Sequence, residues 1–323
     1  MVAEYIILIG GFLAILILAD LMVRSVLRLA KHFNVSGTFV GLTVLSIGTS
    51  IPEIMSAIVG SINILNNPGL FQTMSGLIVG QNIGSDIFQQ SFILAFVGIV
   101  GTIIVVKKDI LKEVGALIGG AVLMWLFALG GLINRIEGFL MLCAYAAYLF
   151  YLYKYKKKGK NYKKYNLSKQ RILLESLGII IGFGIMGFVA DKVLNVATEI
   201  VSVTSLSASF LGVIILGVAS ALPELTTALV GIIKKERGIS AGVLIGSNIT
   251  NPMMGLGLGA LISTYKIPNV VLYFDLPFKI GTALLIFYFL MRNEKLNKWE
   301  AAVLIALFIT YIILRKTFFP IDF

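Results

Sequence analysis

Two glutamates that each follow a proline inside a hydrophobic stretch, Glu53 and Glu224, are the residues most able to do chemistry, and they stand 171 positions apart. They lie in matching phrases, GLTVLSIGTSIPEIMSAIVG (41–60) and GVIILGVASALPELTTALVG (212–231). The same offset pairs Asp20 with Asp191, Ser36 with Ser207, Phe39 with Phe210, Pro52 with Pro223, Ser56 with Thr227 and Gly60 with Gly231. A carboxylate at bilayer depth is costly and marks a functional site by default. Read as helices, the phrases put Thr49, Glu53 and Ser56 on one face, and Ser220, Glu224 and Thr227 on the equivalent face. Pro52 and Pro223 lack an N–H and free the carbonyls of Gly48 and Ala219, which hydrocarbon tolerates only beside protein, a cavity or a cation. Carboxylates, hydroxyls and loose carbonyls are hard oxygen ligands, suited to Ca²⁺, Na⁺ or Mg²⁺. None of the motif segments contains a lysine or arginine, so a bound cation is the expected counter-charge. A kinked helix with a satisfied polar contact is the bland alternative, and its repetition in register weighs against it.

A second pair follows. GQNIGSDIFQQ (80–90) matches GVLIGSNITNP (242–252), with Gly84, Ser85 and Ile87 answering Gly246, Ser247 and Ile249 at an offset of 162. The first copy therefore carries nine extra residues between its motifs, and the Asn-, Pro- and Gly-rich turn 61–72 is the place for them. The glycines allow close helix approach. Ser85 with Gln89, and Ser247 with Asn251, share faces at i, i+4 and offer neutral oxygens to a cation, or polar contacts between helices. Asp86 lies one position around the helix from Ser85. It is either a pathway or proton-binding carboxylate or a residue paired with Asn or Ser neighbours. Asp20 and Asp191 are vestibule or interfacial positions, and the aromatic-rich stretches near 145–153 and 284–291 read as packing and lipid contact.

The elements that must hold these residues are membrane helices. Of 323 residues, 58% are hydrophobic and 13% charged, which leaves a soluble domain too little polar surface. The apolar runs reach about 20 residues without barrel-like alternation. Ten spans are expected, near 3–29, 37–62, 70–103, 113–133, 137–153, 173–197, 208–233, 239–264, 269–291 and 299–318. With the N-terminus outside, the inward loops hold 21 of the 27 Lys and Arg, as the positive-inside rule favours. Arg135, Lys192, Lys266, Lys279, Arg315 and Lys316 are left to the outward side. The net charge of +11 is thus a topology signal, and no nucleic-acid partner is expected. The basic stretch 154–171 reads as a solvated linker, compatible with anionic headgroups. No cleavable leader is expected. A single Cys143 excludes an internal disulfide, and the lone His32 argues against histidine-based chemistry. HExxH, GxSxG and P-loop signatures are absent, so no enzyme and no cofactor are expected.

Five spans precede the linker and five follow it. An odd number per copy inverts the second copy, so the duplicated phrases face each other at mid-membrane, on broken helices. The expected fold is all-α and integral to the membrane, as two inverted five-helix repeats. Residues 1–153 form the first (motif region 41–90), 154–171 the cytoplasmic linker and 172–323 the second (motif region 212–252).

With GTSIPE, ALPEL, GSDIF and GSNIT in view, the chain resembles the cation/Ca²⁺ exchanger superfamily over its whole length, in particular the prokaryotic sodium/calcium exchangers. The resemblance implies a diamond of mid-membrane cation sites on four helices, with the first helix of each half sliding to alternate access. It makes Glu53 and Glu224 the central Ca²⁺ ligands, with Thr49, Ser50, Ser220, Ser85 and Ser247 at flanking Na⁺ sites. Gln89 and Asn251 take the remaining central positions. The chain departs from the family pattern with Ser220 and Ala221 in the second PE motif, and with Gln89 and Asn251 where the family usually has Asn and Asp. Two central carboxylates then neutralise one divalent cation and attract several Na⁺ less strongly. The leading expectation is a monomeric, multi-pass plasma-membrane antiporter exchanging Ca²⁺ or a related divalent for Na⁺. An H⁺-coupled divalent exchanger is the alternative, and a passive channel or inactive scaffold stands behind both.

Overall fold

The computed structural model describes residues 2–32, 37–101, 107–156, 166–204, 206–233 and 237–322. Ser36, Lys234, Lys235 and residues 157–165 of the basic linker lie outside the described residues. Nearly everything described is helix: α1 (Val2–His32), α2 (37–49), α3 (Ile51–Asn66), α4 (Pro68–Val100), α5 (Lys107–Ala128), α6 (Arg135–Lys156), α7 (Lys169–Val203), α8 (208–220), α9 (Leu222–Ile233), α10 (237–262), α11 (Val271–Asn293) and α12 (Lys298–Phe318). A two-residue antiparallel ladder of β1 (Leu132–Ile133) and β2 (Tyr265–Lys266) ties two connections together. Among the described residues, seven helices are long and apolar enough to cross a membrane, or eight if the bent pair at 41–66 counts as one span. The chain is a multi-pass helical membrane protein. The middle of α10, with Ser247, Asn248, Thr250 and Asn251 in one turn, is too polar to read as an ordinary span.

Both proline–glutamate segments break just before the proline. Ser50 (φ −80°, ψ 4°) and Ala221 (φ −85°, ψ 0°) leave the helix in the same way, because the ring at 52 or 223 cannot continue the ladder of hydrogen bonds. At Ser50 the axis bends by 52°. The sequence reading of GTSIPE as one continuous face is corrected here, since Thr49 and Glu53 lie on either side of the bend. Wide π-type turns repeat at the two offsets of the sequence: 41–45 with 212–216, and 89–93 with 251–256. The latter two begin at Gln89 and Asn251. Such turns rotate side chains out of the regular register and are frequent at functional sites.

Glycine decides which helices meet. A Cβ on Gly80 would lie 2.7 Å from the Ser209 carbonyl, one on Gly84 2.2 Å from that of Val213, and one on Gly217 2.6 Å from the Ser85 nitrogen. Backbones of α4 and α8 are therefore in contact, as small residues permit in membranes. The mirror contact joins α10 to α2. There a Cβ on Gly246 would meet Ser46 Cβ at 2.7 Å and one on Gly242 would meet Gly41 at 3.2 Å. Each GS-bearing helix thus packs on the helix leading into the other half's glutamate. The long helices α1 and α7 pack on each other, and Glu175 near the start of α7 accepts from Arg28 (2.7 Å) and Arg171 (2.9 Å).

Two cations assigned to the outward side are fully buried instead. Arg315 pairs with Asp275 (3.2 Å) and Lys279 with Asp86 (2.5 Å). Ion pairing lets them sit inside, and a count of charge per loop does not register it.

Gly84→Ala is expected to force α4 from α8 and cost about 1–3 kcal/mol, as overpacking does. Gly119→Ala meets nothing within 4 Å and should be neutral or slightly stabilising through helix propensity. Thermal melts of the purified variants in detergent check both; equal melting temperatures would refute the contact.

Candidate functional site

All ten residues singled out by the sequence are buried: Thr49, Ser50, Ser85, Asp86, Gln89, Glu224, Ser247 and Asn251 at 0%, Glu53 and Ser220 at 1% exposure. They come together because the bent α2–α3 and α8–α9 segments cross α10 and α4 at the glycine contacts. Ser85 Oγ donates to Glu53 Oε1 at 2.7 Å, and Gln89 Nε2 donates to Ser85 Oγ at 3.0 Å. Thr49 and Ser247 hydroxyls bond at 3.3 Å across the two halves. The hydroxyls cross over: Thr49 lies beside Glu224, and Ser220 beside Glu53. The shared face of Thr49 with its own Glu53, expected from i, i+4 spacing, gives way to this crossed arrangement because of the bend.

The two glutamates lie near enough to repel, and Asp86 adds its field to both. Glu53 Oε2 and both Glu224 oxygens have no hydrogen-bond donor, and Ser50 Oγ and Asn251 Oδ1 are also buried without a partner. An uncompensated buried carboxylate is among the most expensive groups a protein can hold. Unpartnered carboxylate, hydroxyl and amide oxygens make a donor set for a hard cation. Among the described residues, no three acidic, His or Cys side chains are grouped as a metal-holding cluster.

Asp86, left open by the sequence, is engaged on both oxygens. Asn251 Nδ2 donates to Oδ1 at 2.8 Å and Lys279 Nζ to Oδ2 at 2.5 Å. Pairing of Asp86 with an Asn neighbour is one of the two expected outcomes, and Lys279 adds to it a cation from α11, outside the motif segments. In ionised form, three carboxylates and one ammonium leave two net negative charges, matching one divalent cation.

A polar network that no motif announces surrounds the centre. Asn248 donates to Gln89 Oε1 (3.2 Å) and accepts from Gln90 Nε2 (2.8 Å), while Thr282 donates to Gln90 Oε1 (2.9 Å). Ser46 and Tyr145 both reach the Thr250 hydroxyl, at 3.1 and 2.9 Å, so Tyr145 does more than pack. Asn82 is buried with both amide atoms unpartnered. Lys279 was findable: a lysine inside an apolar span raises the same question as Glu53. Asp20 is exposed and paired with Arg24 at 2.8 Å. It lines a cleft of about 400 Å³ with Pro223, Thr226 and Thr227. Asp191 accepts from Asn63 (3.0 Å) and Asn195 (3.2 Å).

The sequence profile of the sodium/calcium exchanger protein family matches residues 4–154 and 175–316. The chain belongs to this family. Its relatives include the sodium/calcium exchanger MaX1 of Methanosarcina acetivorans, 25% identical over 96% of this chain and 97% of that one. The putative antiporter CaxA of Alkalimonas amylolytica is 25% identical over 93% and 95%. Among solved structures, the sodium-calcium exchanger NCX_Mj superimposes with a TM-score of 0.68 at 26% identity, covering 95% of this chain and 98% of that one. The exchanger-family fold is therefore shared along the whole length, and these relatives are transporters rather than enzymes.

Replacing Glu224, whose oxygens are buried without donors, by Gln removes a buried charge. In choline-based, chelator-treated buffer, Glu224→Gln should be more stable than the parent by about 1–3 kcal/mol. Added Ca²⁺ should raise the melting point of the parent and leave that of the variant unmoved. A Ca²⁺-induced rise in the variant equal to the parent's would remove Glu224 from the site.

Proposed function

We propose that the chain is a secondary active antiporter that moves Ca²⁺, or a related divalent cation, against Na⁺ by alternating access. The observation that carries the reading is the pair of buried, mutually repelling carboxylates at Glu53 and Glu224, of whose four oxygens only Glu53 Oε1 has a protein donor. Family membership and the likeness to NCX_Mj support it. Glu53 and Glu224 are the divalent-ion ligands; Thr49, Ser50, Ser220, Ser85 and Ser247 are ligands for monovalent ions. Gln89 and Asn251 complete the centre through amide oxygens, and Asp86, paired with Lys279, borders it.

The same reading takes the chain as ten membrane passages in two inverted halves, 1–153 and 172–323, joined by a cytoplasmic linker at 154–171. The π-type turns and proline breaks recurring at the sequence offsets support the duplication. Pairing of α1 with α7 and of α5 with α11, equivalent helices of the two halves, supports the inversion. The N-terminus is outside, the basic loops face the cytoplasm, and the plasma membrane is the location. One chain carries both halves of the site, so a monomer suffices.

The deciding assay is ⁴⁵Ca²⁺ uptake into proteoliposomes loaded with Na⁺ and diluted into Na⁺-free buffer. Uptake should collapse when the Na⁺ gradient is removed, and Glu53→Gln and Glu224→Gln should each lower it to the level of empty liposomes. Flux retained in either variant would sink the site assignment. Uptake indifferent to Na⁺ but driven by a pH gradient would replace Na⁺ by H⁺ as the coupling ion, and Ca²⁺ flux without any gradient dependence would mean a channel.

A further inference from the structure

Three buried carboxylates feel one another's charge around the two glutamates, and they are not equivalent. Glu53 keeps one oxygen without a donor and Glu224 keeps two, whereas both oxygens of Asp86 are engaged. What engages Asp86 Oδ2 is a full positive charge, Lys279 Nζ, at 2.5 Å, with both side chains at 0% exposure. That lysine comes from α11, which takes no part in the duplicated motifs. It is fixed there by its neighbours. One turn along α11, Thr282 donates to Gln90 on α4 at 2.9 Å, so α11 docks on α4 at two successive points. Asp86 is the only hydrogen-bond partner of the ammonium among the described residues, and Asn251 holds the other carboxylate oxygen. An ammonium carries the charge of a monovalent cation as a compact point. Placed on a buried carboxylate, it stands where a desolvated monovalent ion would stand.

We propose that Lys279 is a tethered cation that fills the monovalent position at Asp86, so that this exchanger carries one fewer mobile monovalent ion per divalent ion than the same site would with Asp86 free. Lys279 is thereby a determinant of coupling stoichiometry. The proposal rests on the cation-exchange reading above and adds to it the number of ions that move. Its consequence is that removing the lysine does not simply damage the site. It creates a monovalent-cation site, because the uncovered Asp86 needs a counter-charge that only a mobile ion can supply.

The test uses purified full-length protein in detergent, with ²²Na⁺ equilibrium binding and thermal melts in NaCl against choline chloride, neither of which requires transport. Lys279→Ala should bind a further Na⁺ relative to the parent and gain a Na⁺-specific rise in melting temperature. Lys279→Ala combined with Asp86→Asn, which removes both charges, should lose both gains. In proteoliposomes, the single variant should show a steeper dependence of Ca²⁺ flux on Na⁺. Equal Na⁺ binding in the single and double variants would overturn the proposal. So would a single variant that stays unfolded at every Na⁺ concentration while the double variant folds, because Lys279 would then be only a structural neutraliser. Absence of Na⁺-driven Ca²⁺ flux in the parent would defeat the exchange reading instead, and the Na⁺-binding comparison between variants would still decide whether Lys279 occupies a monovalent site.

Discussion

The constraint on which this molecule turns is the cost of holding Glu53, Glu224 and Asp86 together away from water. Their mutual repulsion and lost hydration amount to many kcal/mol before compensation, and no single helix carries donors enough to supply it. Compensation has to come from several chain segments at once. Ser85 meets Glu53, Asn251 and Lys279 meet Asp86, and the remaining oxygens of Glu53 and Glu224 are left to a cation. The rest of the architecture is the set of approaches that makes this convergence possible.

Close approach is the first requirement, and glycine meets it. Gly80 and Gly84 let α4 touch the backbone of α8, and Gly242 and Gly246 let α10 touch that of α2. Larger side chains there would separate the helices and pull hydroxyls and amides off the carboxylates. Broken helices are the second requirement. A straight helix offers one side chain per turn to a given point, while the breaks at Ser50 and Ala221 and the wide turns starting at Gln89 and Asn251 redirect the chain. Thr49 thereby comes beside Glu224 and Ser220 beside Glu53, while Ser85 stays with the Glu53 of its own phrase. The site is therefore built from both copies of the duplicated phrases and from neither alone.

The parts of this arrangement that depend on local sequence are legible in it. Pro52 and Pro223 announce the breaks, the duplicated phrases announce the paired carboxylates, and Ser85 with Gln89 sits on one face as i, i+4 spacing requires. What fails is every inference that carries local geometry across a break or a charge across the fold. Helical spacing puts Thr49 on the face of Glu53, but the 52° bend turns it toward Ser247 and Glu224. Loop statistics put Lys279 and Arg315 on the outward side because they assume that a cation avoids the interior. Their partners, Asp86 and Asp275, are 193 and 40 residues away, and such separations leave no periodic trace. Tyr145 belongs to a stretch that reads as packing and lipid contact; it does pack, and its hydroxyl also serves Thr250.

The two buried ion pairs separate the structural from the functional use of a positive charge. At Asp275 the cation is arginine, whose fork is filled on every side. It donates to Asp275, to Ser209 and to the Phe319 carbonyl, while Tyr311 donates to the other Asp275 oxygen at 2.7 Å. Planar, multiply bonded pairing of that kind locks α12, α11 and the start of α8 in one geometry and leaves no room for an ion. At Asp86 the cation is lysine, a point charge bonded to one carboxylate oxygen, beside carboxylates that keep unsatisfied oxygens. An arginine there would bring five donors in a planar fork where the single Asp86 oxygen needs one. Lysine neutralises a single carboxylate and leaves the other two dependent on a cation. The choice of cationic residue at each pair therefore follows from whether its surroundings must be closed or kept open to ions.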